Sequence, residues 1–446
     1  MKKLILSVLL IPAVFSAQQT VSRDPEIANY VSQVSADSLK SHINKLVSFG
    51  TRHTMSSTTD AKKGIGAARN WVLSKFKNYA KNSDGRMEVF LQSQTIQPDG
   101  KRINQPTDLG NAIAILRGTD PNDKRIFMIG GHLDSRVSDV MNAKDFAPGA
   151  NDDGSGVGAV IESARILSQS KFPATIIFVA FSGEEQGLLG AKMLAEKAKN
   201  ENWQLEALLN NDMIGNNLSS ETNLINANQL RVFSEGLPQF DLDKKAQGIR
   251  NLGLENDGEA RQLARYIKEI GERYVDNLEV KLIYRNDRFL RGGDHTSFVN
   301  QGFSAVRLTE FNENYDHQHQ DIRKENGKQF GDLPEFMDFE YFKKNVGVNV
   351  SVLANLAKSP SKPENVKMDV KELTNFTTIH WEKPKNGEVV GYYVLMRETD
   401  SSIWQKKFFT KENSMKLPYS KDNYFFAVQA VNSSGNESLI VIPSVK

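Results

Sequence analysis

The sequence predicts an α/β domain, built on a mostly parallel, mixed sheet flanked by helices, with a small all-β sandwich after it. Three observations predict this. Buried strand-like runs alternate with segments of helical apolar spacing through the middle of the chain. The period then falls to two beyond a Pro- and Ser-containing stretch, "AKSPSKPENV", at 357–366. The 446 residues, 39% of them hydrophobic, suffice for one large core and a smaller one.

The chain opens "MKKLILSVLLIPAVFSAQQ". Lys2 and Lys3 are a basic start, Leu4 to Phe15 is an apolar run too short to span a bilayer, and the small Ser16 and Ala17 follow. This predicts a secretory signal peptide over 1–17, although Phe15 is a poor third residue before a cut after Ala17. The product is expected to be secreted or periplasmic. Removing the segment takes Lys2 and Lys3 from 56 basic residues and nothing from 54 acids, leaving the two signs equal. Such balance gives no push towards nucleic acid or an anionic membrane. No other run reaches membrane-spanning length. Cysteine is absent, which excludes disulfides, thiolate metal sites, a cysteine nucleophile and a lipid-modified cysteine.

"DSLKSHINKLVSF" and "KKGIGAARNWVLSKF" show helical spacing. "RIFMIGGHLDS" reads as a buried strand and loop, "GVGAVIESARILSQS" as a helix, and "ATIIFVAFSGEE" as a strand ending in acids. "GLLGAKMLAEKAKN" is a helix and "LEALLNNDMIG" a short apolar run ending at Asp212. "EARQLARYIKEIGERYV" is a helix and "SAVRLTE" a further strand. In the tail, "TTIHWEKP", "VVGYYVLMRE" and "NYFFAVQAVNSSGNES" alternate apolar with polar residues between turn signals. This tail resembles a fibronectin type III domain. Trp381 sits in its early strand and Tyr424 where a tyrosine corner belongs, both as core residues.

Polar residues recur where the apolar strands end. His132 and Asp134 follow one strand, Glu184 and Glu185 a second, and Asp212 a third. The carboxyl ends of parallel strands are where α/β sheets place their sites. The loop "PGANDDGSG", by itself a helix N-cap, adds Asn151, Asp152 and Asp153. Imidazole and carboxylate without sulfur suit Zn²⁺, with Mn²⁺ or Co²⁺ as substitutes. The candidate ligands exceed what one tetrahedral ion takes. Two ions sharing a bridging carboxylate, about 3.5–4 Å apart, account for the number.

The series "HLDS", "GANDDGSG", "FSGEEQGLLG", "NNDMIG" and "GGDHTSFVNQGFSAV" is similar to the M28 family of co-catalytic zinc aminopeptidases, over roughly Ala36 to Lys358. The resemblance implies a zinc exopeptidase-like fold, two Zn²⁺ ions and peptide or protein substrates. It implies that His132 and Asp212 hold one zinc, Asp152 bridges, and Glu185 holds the second. It makes Glu184 the general base that activates a metal-bridging water, and Asp134 the acid that orients the His132 ring. Domains are then expected at 18–358 (metallopeptidase), 359–365 (linker) and 366–446 (fibronectin type III-like).

The last ligand departs from the family pattern. "ENYDHQHQDIR" offers His317, four residues before Asp321 as the usual spacing has it, and His319. In an extended segment alternate residues point the same way, so both could face the metals. The reading leans to His319, with His317 as the alternative. The same departure weakens a role for Tyr315 at the oxyanion. His295 is expected as a structural or pocket-wall residue, His42 and His53 at the surface or in packing, and His380 in the sandwich.

The leading expectation is a secreted di-zinc exopeptidase removing N-terminal residues. A carboxypeptidase or dipeptidase on the same scaffold, a glutaminyl cyclase with one zinc, and a metal-stabilised binding protein are the alternatives. Asp152 with the His132/Asp212 pair argues against the cyclase, and Glu184 beside Glu185 argues against a non-enzyme. The β domain is expected to pack as a spacer, with glycan or surface contact as its alternative, because no aromatic cluster or basic stripe marks a binding face.

Overall fold

Three helices come first in the computed structural model, which describes residues 23–237 and 239–445. The expected signal segment 1–17 lies outside the described residues. The helices are α1 (Pro25–Ser32), α2 (Ala36–Val47) and α3 (Gly64–Ala80). A hairpin of β1 (Met87–Ile96) and β2 (Thr107–Leu116) follows. The alternating part is β3 (Arg125–His132), α4 (Gly154–Leu167), β4 (Thr175–Phe181), α5 (Leu189–Asn200) and β5 (Gln204–Asn211). It continues through β6 (Gln229–Phe233), α6 (Gln239–Leu252), α7 (Glu259–Tyr274), β7 (Glu279–Ile283), α8 (Asp294–Asn300) and β8 (Ala305–Glu310). A small hairpin, β9 (Arg323–Glu325) and β10 (Lys328–Phe330), precedes the long α9 (Phe339–Lys358).

The eight strands form one sheet in the order β1-β2-β4-β3-β5-β8-β6-β7. The central β4, β3, β5 and β8 run parallel, and antiparallel pairings at β2–β4 and β6–β8 attach the flanks. Strands buried on both faces read as continuous apolar runs, which is why β3 and β4 were legible. Phe127, Ile129, Ile176 and Phe178 face the core under α1–α4, α7 and α9, whereas Met128, Ile177 and Val179 face α5 and α8. The register sets His132 opposite Phe181 and Asn211 opposite Leu308, so the residues just past β3, β4 and β5 emerge at one edge.

The β1–β2 hairpin, β6, β7 and α9 were not anticipated. α9 reads "FEYFKKNVGVNVSVLANLAK", rich in Val and Asn with a central Gly, so local propensity argues against it. Burial against α1, α4 and α7 overrides that, and Asp338 caps its start by accepting the N–H groups of Glu340 and Tyr341 at 3.0 Å.

The tail folds as two packed sheets. One has the order β15 (Ser414–Leu417), β12 (Thr377–Glu382), β11 (Glu364–Met368), β17 (Ser444–Val445), and the other β14 (Lys406–Thr410), β13 (Gly391–Glu398), β16 (Tyr424–Val431). Trp381 is buried between them, edge-on to Tyr392 at 5.3 Å, and Tyr424 is half-buried against the same core. His380 is bound to Asp369 at 2.9 Å on this sandwich.

The sandwich docks on α7, α9 and the start of α1. Tyr266 donates to the Glu437 carbonyl at 2.7 Å, and Arg273 holds both Glu437 oxygens at 2.7 Å. Arg125, at the first residue of β3, donates to the carbonyls of Ser359 and Pro360 at 2.8 and 3.0 Å. The sandwich therefore sits at the opposite edge of the sheet from the ends of β3, β4 and β5. Among the described residues no helix is long and apolar enough to cross a membrane.

Candidate metal centre

Two clusters of ligand atoms, each with its atoms within 4.8 Å of one another, lie at the carboxyl edge of the sheet. His132, Asp152 and Asp212 form one, and Asp152, Glu185 and His319 the other. Asp152 belongs to both. Its Oδ1 is 3.1 Å from His132 Nε2, and its Oδ2 is 2.9 Å from His319 Nε2. His319 Nε2 also approaches Glu185 Oε1 at 2.8 Å, yet without hydrogen-bond alignment, so this buried oxygen has no donor among the described residues. His132, Asp152, Glu185 and Asp212 are all at most 5% exposed. Buried carboxylates of this density need positive charge among them. Two imidazoles, three carboxylates and no thiolate suit a divalent ion of intermediate softness, so the residues present fit zinc.

The supports explain why the backbone presents these groups. Asp153 caps α4 through the Gly156 N–H at 2.8 Å and also accepts the N–H groups of His132 at 2.9 Å and Met213 at 3.2 Å. It ties β3, α4 and the turn after β5 together. The glycines next to it serve this closeness. A Cβ on Gly156 would meet Asp153 Oδ2 at 2.2 Å and the Asn211 carbonyl at 2.4 Å. Arg52, fully buried, donates to the carbonyls of Leu133, Pro148 and Gly149. Asp332 accepts the N–H groups of Asn151 and Asp152, and Glu310 accepts the Asn151 amide and the Asn216 N–H. Burial pushes the Asp332 carboxyl up to about 7, and its bonds to those two N–H groups oppose the shift.

Asp134 differs from expectation. His132 Nδ1 lies 3.0 Å from the Asp134 backbone carbonyl and 3.8 Å from its Oδ1. The carboxylate is turned to the loop after β4, accepting the N–H groups of Gly183, Glu184 and Glu185 at 2.8, 3.2 and 3.1 Å, with Thr54 at 3.0 Å. Three backbone donors compete better for one carboxylate than a single ring nitrogen. Asp134 thus orients Glu184 and Glu185, and its main chain fixes the His132 tautomer that leaves Nε2 free as a ligand.

The segment around His317 is not extended. It turns, with His319 at φ +56°, so alternation does not carry both rings inward. His319 meets Asp152 and Glu185. His317 stacks on Phe336 with ring centres 3.8 Å apart, and burial pushes its imidazole down to about 4. Tyr315 is more than half exposed. His42 and His53 are both buried, so neither is a surface residue. His42 lies 3.3 Å from Ser38 Oγ, and His53 Nε2 lies 2.9 Å from the Val140 carbonyl. His295, also buried, bonds the Asn286 carbonyl at 2.7 Å.

Glu184 stands half-buried beside this centre. Burial pushes its carboxyl well above the usual range, and Glu185, Asp212 and Asp294 reinforce this against the pull of His132. Asp294, at the start of α8, is 1% exposed with neither oxygen hydrogen-bonded among the described residues, and burial pushes it up to about 8.

Four further residues went unnoticed in the sequence. Arg307 lies inside β8 with Nη2 3.0 Å from Asp212 Oδ1 and Nη1 2.9 Å from Asp287 Oδ1. Arg136 lies between Glu185 Oε2, 3.1 Å from Nε, and His319 Nδ1, 2.7 Å from Nη2. Gln318 donates to Asp152 Oδ2 at 3.0 Å. Glu310 ends strand "SAVRLTE", the same strand-then-acid signal that marked Asp212 and Glu184. Arg307 had a signal too, since an arginine in an apolar strand requires buried acids.

The model of peptidase family M28 matches residues 111–333, a span that holds every ligand of both clusters. A protein from Leptosphaeria maculans named a probable zinc metalloprotease is 42% identical over 421 residues, covering 94% of this chain and 97% of the relative. One of the same name from Pyrenophora teres f. teres is 42% identical over 424 residues, covering 94% of this chain and 87% of the relative.

The chain belongs to peptidase family M28.

The M28 domain is followed by a match to the fibronectin type III domain at residues 361–443. In fold, the chain is similar to the LapA aminopeptidase of Legionella pneumophila, with a TM-score of 0.54 at 20% identity over 76% of each chain. It is a peptide hydrolase of this family, with a mixed sheet flanked by helices and a C-terminal sandwich.

Proposed function

We propose that the protein is a secreted aminopeptidase that works with two Zn²⁺ ions, one among His132, Asp152 and Asp212, the other among Asp152, Glu185 and His319. The observation that carries this is Asp152, whose two oxygens belong to different clusters. Zinc agrees with the donor set and with the names of the relatives. The amino-terminal choice follows from the motif resemblance. Secretion rests on the Lys2–Ala17 pattern, and the boundaries 18–358, 359–365 and 366–446 on the change of periodicity.

Bound there, the ions would supply an acidified water and a polarised scissile carbonyl. Glu184 takes a proton from the attacking water and returns it to the leaving amine. Asp134 holds the Glu184–Glu185 turn in place through its backbone N–H groups. The sandwich, docked at the far edge, acts as a structural spacer.

Protein stripped with a chelator should lose hydrolysis of amino-acid anilides and regain it at about two equivalents of Zn²⁺. Saturation at one equivalent overturns the two-ion reading. N-acetylated anilides should resist throughout, and their cleavage overturns the amino-terminal reading.

A further inference from the structure

We propose that Arg136 makes the two ion sites unequal, so that the site of Glu185 and His319 binds its cation more weakly and exchanges it more readily than the site of His132 and Asp212. The proposal rests on the two-ion reading above.

The two sites differ in what stands behind their ligands. On the His132 side the ring arrives ready to bind a cation. Its Nδ1 faces a carbonyl at 3.0 Å, which needs a donor, so the proton is on Nδ1 and Nε2 offers its lone pair. On the His319 side Nδ1 faces a guanidinium nitrogen of Arg136 at 2.7 Å. A guanidinium only donates, so Nδ1 must accept and the ring proton belongs on Nε2, the atom that faces Asp152 and Glu185. For His319 to bind through Nε2, Arg136 must give up Nδ1. Arg136 and a cation therefore compete for the same imidazole.

They compete for the same carboxylate as well, since Arg136 Nε is 3.1 Å from Glu185 Oε2. Among the described residues Glu185 is the one acid that Arg136 pairs with, so its charge is not absorbed elsewhere. Arg102 adds a second guanidinium by donating to the Glu185 carbonyl at 2.5 Å. Gln318 occupies the same Asp152 oxygen that faces His319. The other site has an arginine too, but Arg307 shares its charge between Asp212 and the fully buried Asp287. A fixed cation at contact distance from two ligands raises the free energy of a dication beside it.

The test is a titration of chelator-stripped protein with Zn²⁺ against a chromophoric chelator, repeated with Co²⁺ followed by its visible absorption. Wild type should take up two equivalents, the second at least about tenfold weaker, which is about 1.4 kcal/mol. Arg136→Met should tighten the second equivalent towards the first, and Arg136→Lys, which keeps the charge, should restore the gap. Glu185→Gln should remove the weak equivalent and leave the tight one. Equal affinities in wild type, or a gap unchanged in Arg136→Met with wild-type thermal unfolding, overturn the proposal while leaving two ions in place. Uptake of one equivalent by every variant instead overturns the two-ion reading. If Arg136→Met unfolds early, the same comparison is made with Arg136→Gln.

Discussion

At the carboxyl ends of β3, β4 and β5 the buried charge is mostly acidic. Among the described residues Asp294 has no hydrogen-bond partner for either oxygen, Glu185 Oε1 has no donor, and Asp153 and Asp134 bind chiefly backbone N–H groups. At the other edge, where the sandwich docks, buried acids meet cations. Glu437 is held by Arg273 on both oxygens, with Lys407 at 3.6 Å. Asp257 holds Arg265 at 2.8 Å and Arg397 at 2.6 Å. Asp24 holds Lys358 at 2.7 Å. One edge is closed as a charge system and the other is open to added cations. Burial of charge alone does not mark a reactive site. What marks it is burial that the protein's own cations leave unanswered.

The largest expected effect breaks the open edge. Glu184→Gln should lower kcat by about 10³–10⁴-fold with zinc content and thermal unfolding unchanged, as steady-state kinetics beside metal analysis would read. Turnover near wild type would remove Glu184 from proton transfer. Next comes the closed edge. Glu437→Ala leaves the buried Arg273 with Glu269 alone and should cost about 3 kcal/mol in denaturant unfolding, with kcat of the folded protein unchanged. A variant that loses activity but no stability would show that the junction serves catalysis after all. Replacing both partners, Arg273→Met with Glu437→Leu, should recover most of the loss, since matched apolar groups need no pairing.

A smaller effect concerns Glu162 on α4, a buried acid fully answered by Arg165, Ser38 and the Ser35 N–H. Burial opposes its ionisation, but these partners win and lower its carboxyl to about 2. A depressed folded pKa contributes stability above the unfolded value and loses it as pH falls towards 2. About 2 kcal/mol should therefore disappear between roughly pH 4.5 and 2 in wild type, and not in Glu162→Gln. Acid unfolding of chelator-treated protein measures it without a contribution from metal release.

The open edge was legible in the sequence and the closed edge was not. His132, Glu184, Glu185 and Asp212 each follow an apolar run, and a parallel register brings such ends together without further information. Asp152 was legible through its loop. His319 was not separable from His317, because the choice depends on a left-handed turn and on the Phe336 ring that takes His317. The direction of the Asp134 carboxylate depended on a loop that comes 50 residues later. The junction pairs Arg273 with Glu437, 164 residues apart, and no local pattern announces such a partner. Arg136 lay two residues past Asp134 in plain view. Its meaning depended on the place of His319, 183 residues away.

Asn436 reaches Asp24 at 3.1 Å across 412 residues of chain, and the same asparagine bonds Asn355 in α9. This clasp fastens residue 24 to residue 436 in the folded state without a covalent bond, in a protein that has no cysteine. It also imposes an order of events. Asn436 and Glu437 are made after Asp24, Arg273 and Asn355, so these three gain this set of bonds only once the sandwich has been synthesised. A chain released short of Asn436 keeps the Asp24–Lys358 and Arg273–Glu269 pairs but lacks the bonds that fasten the sandwich to them.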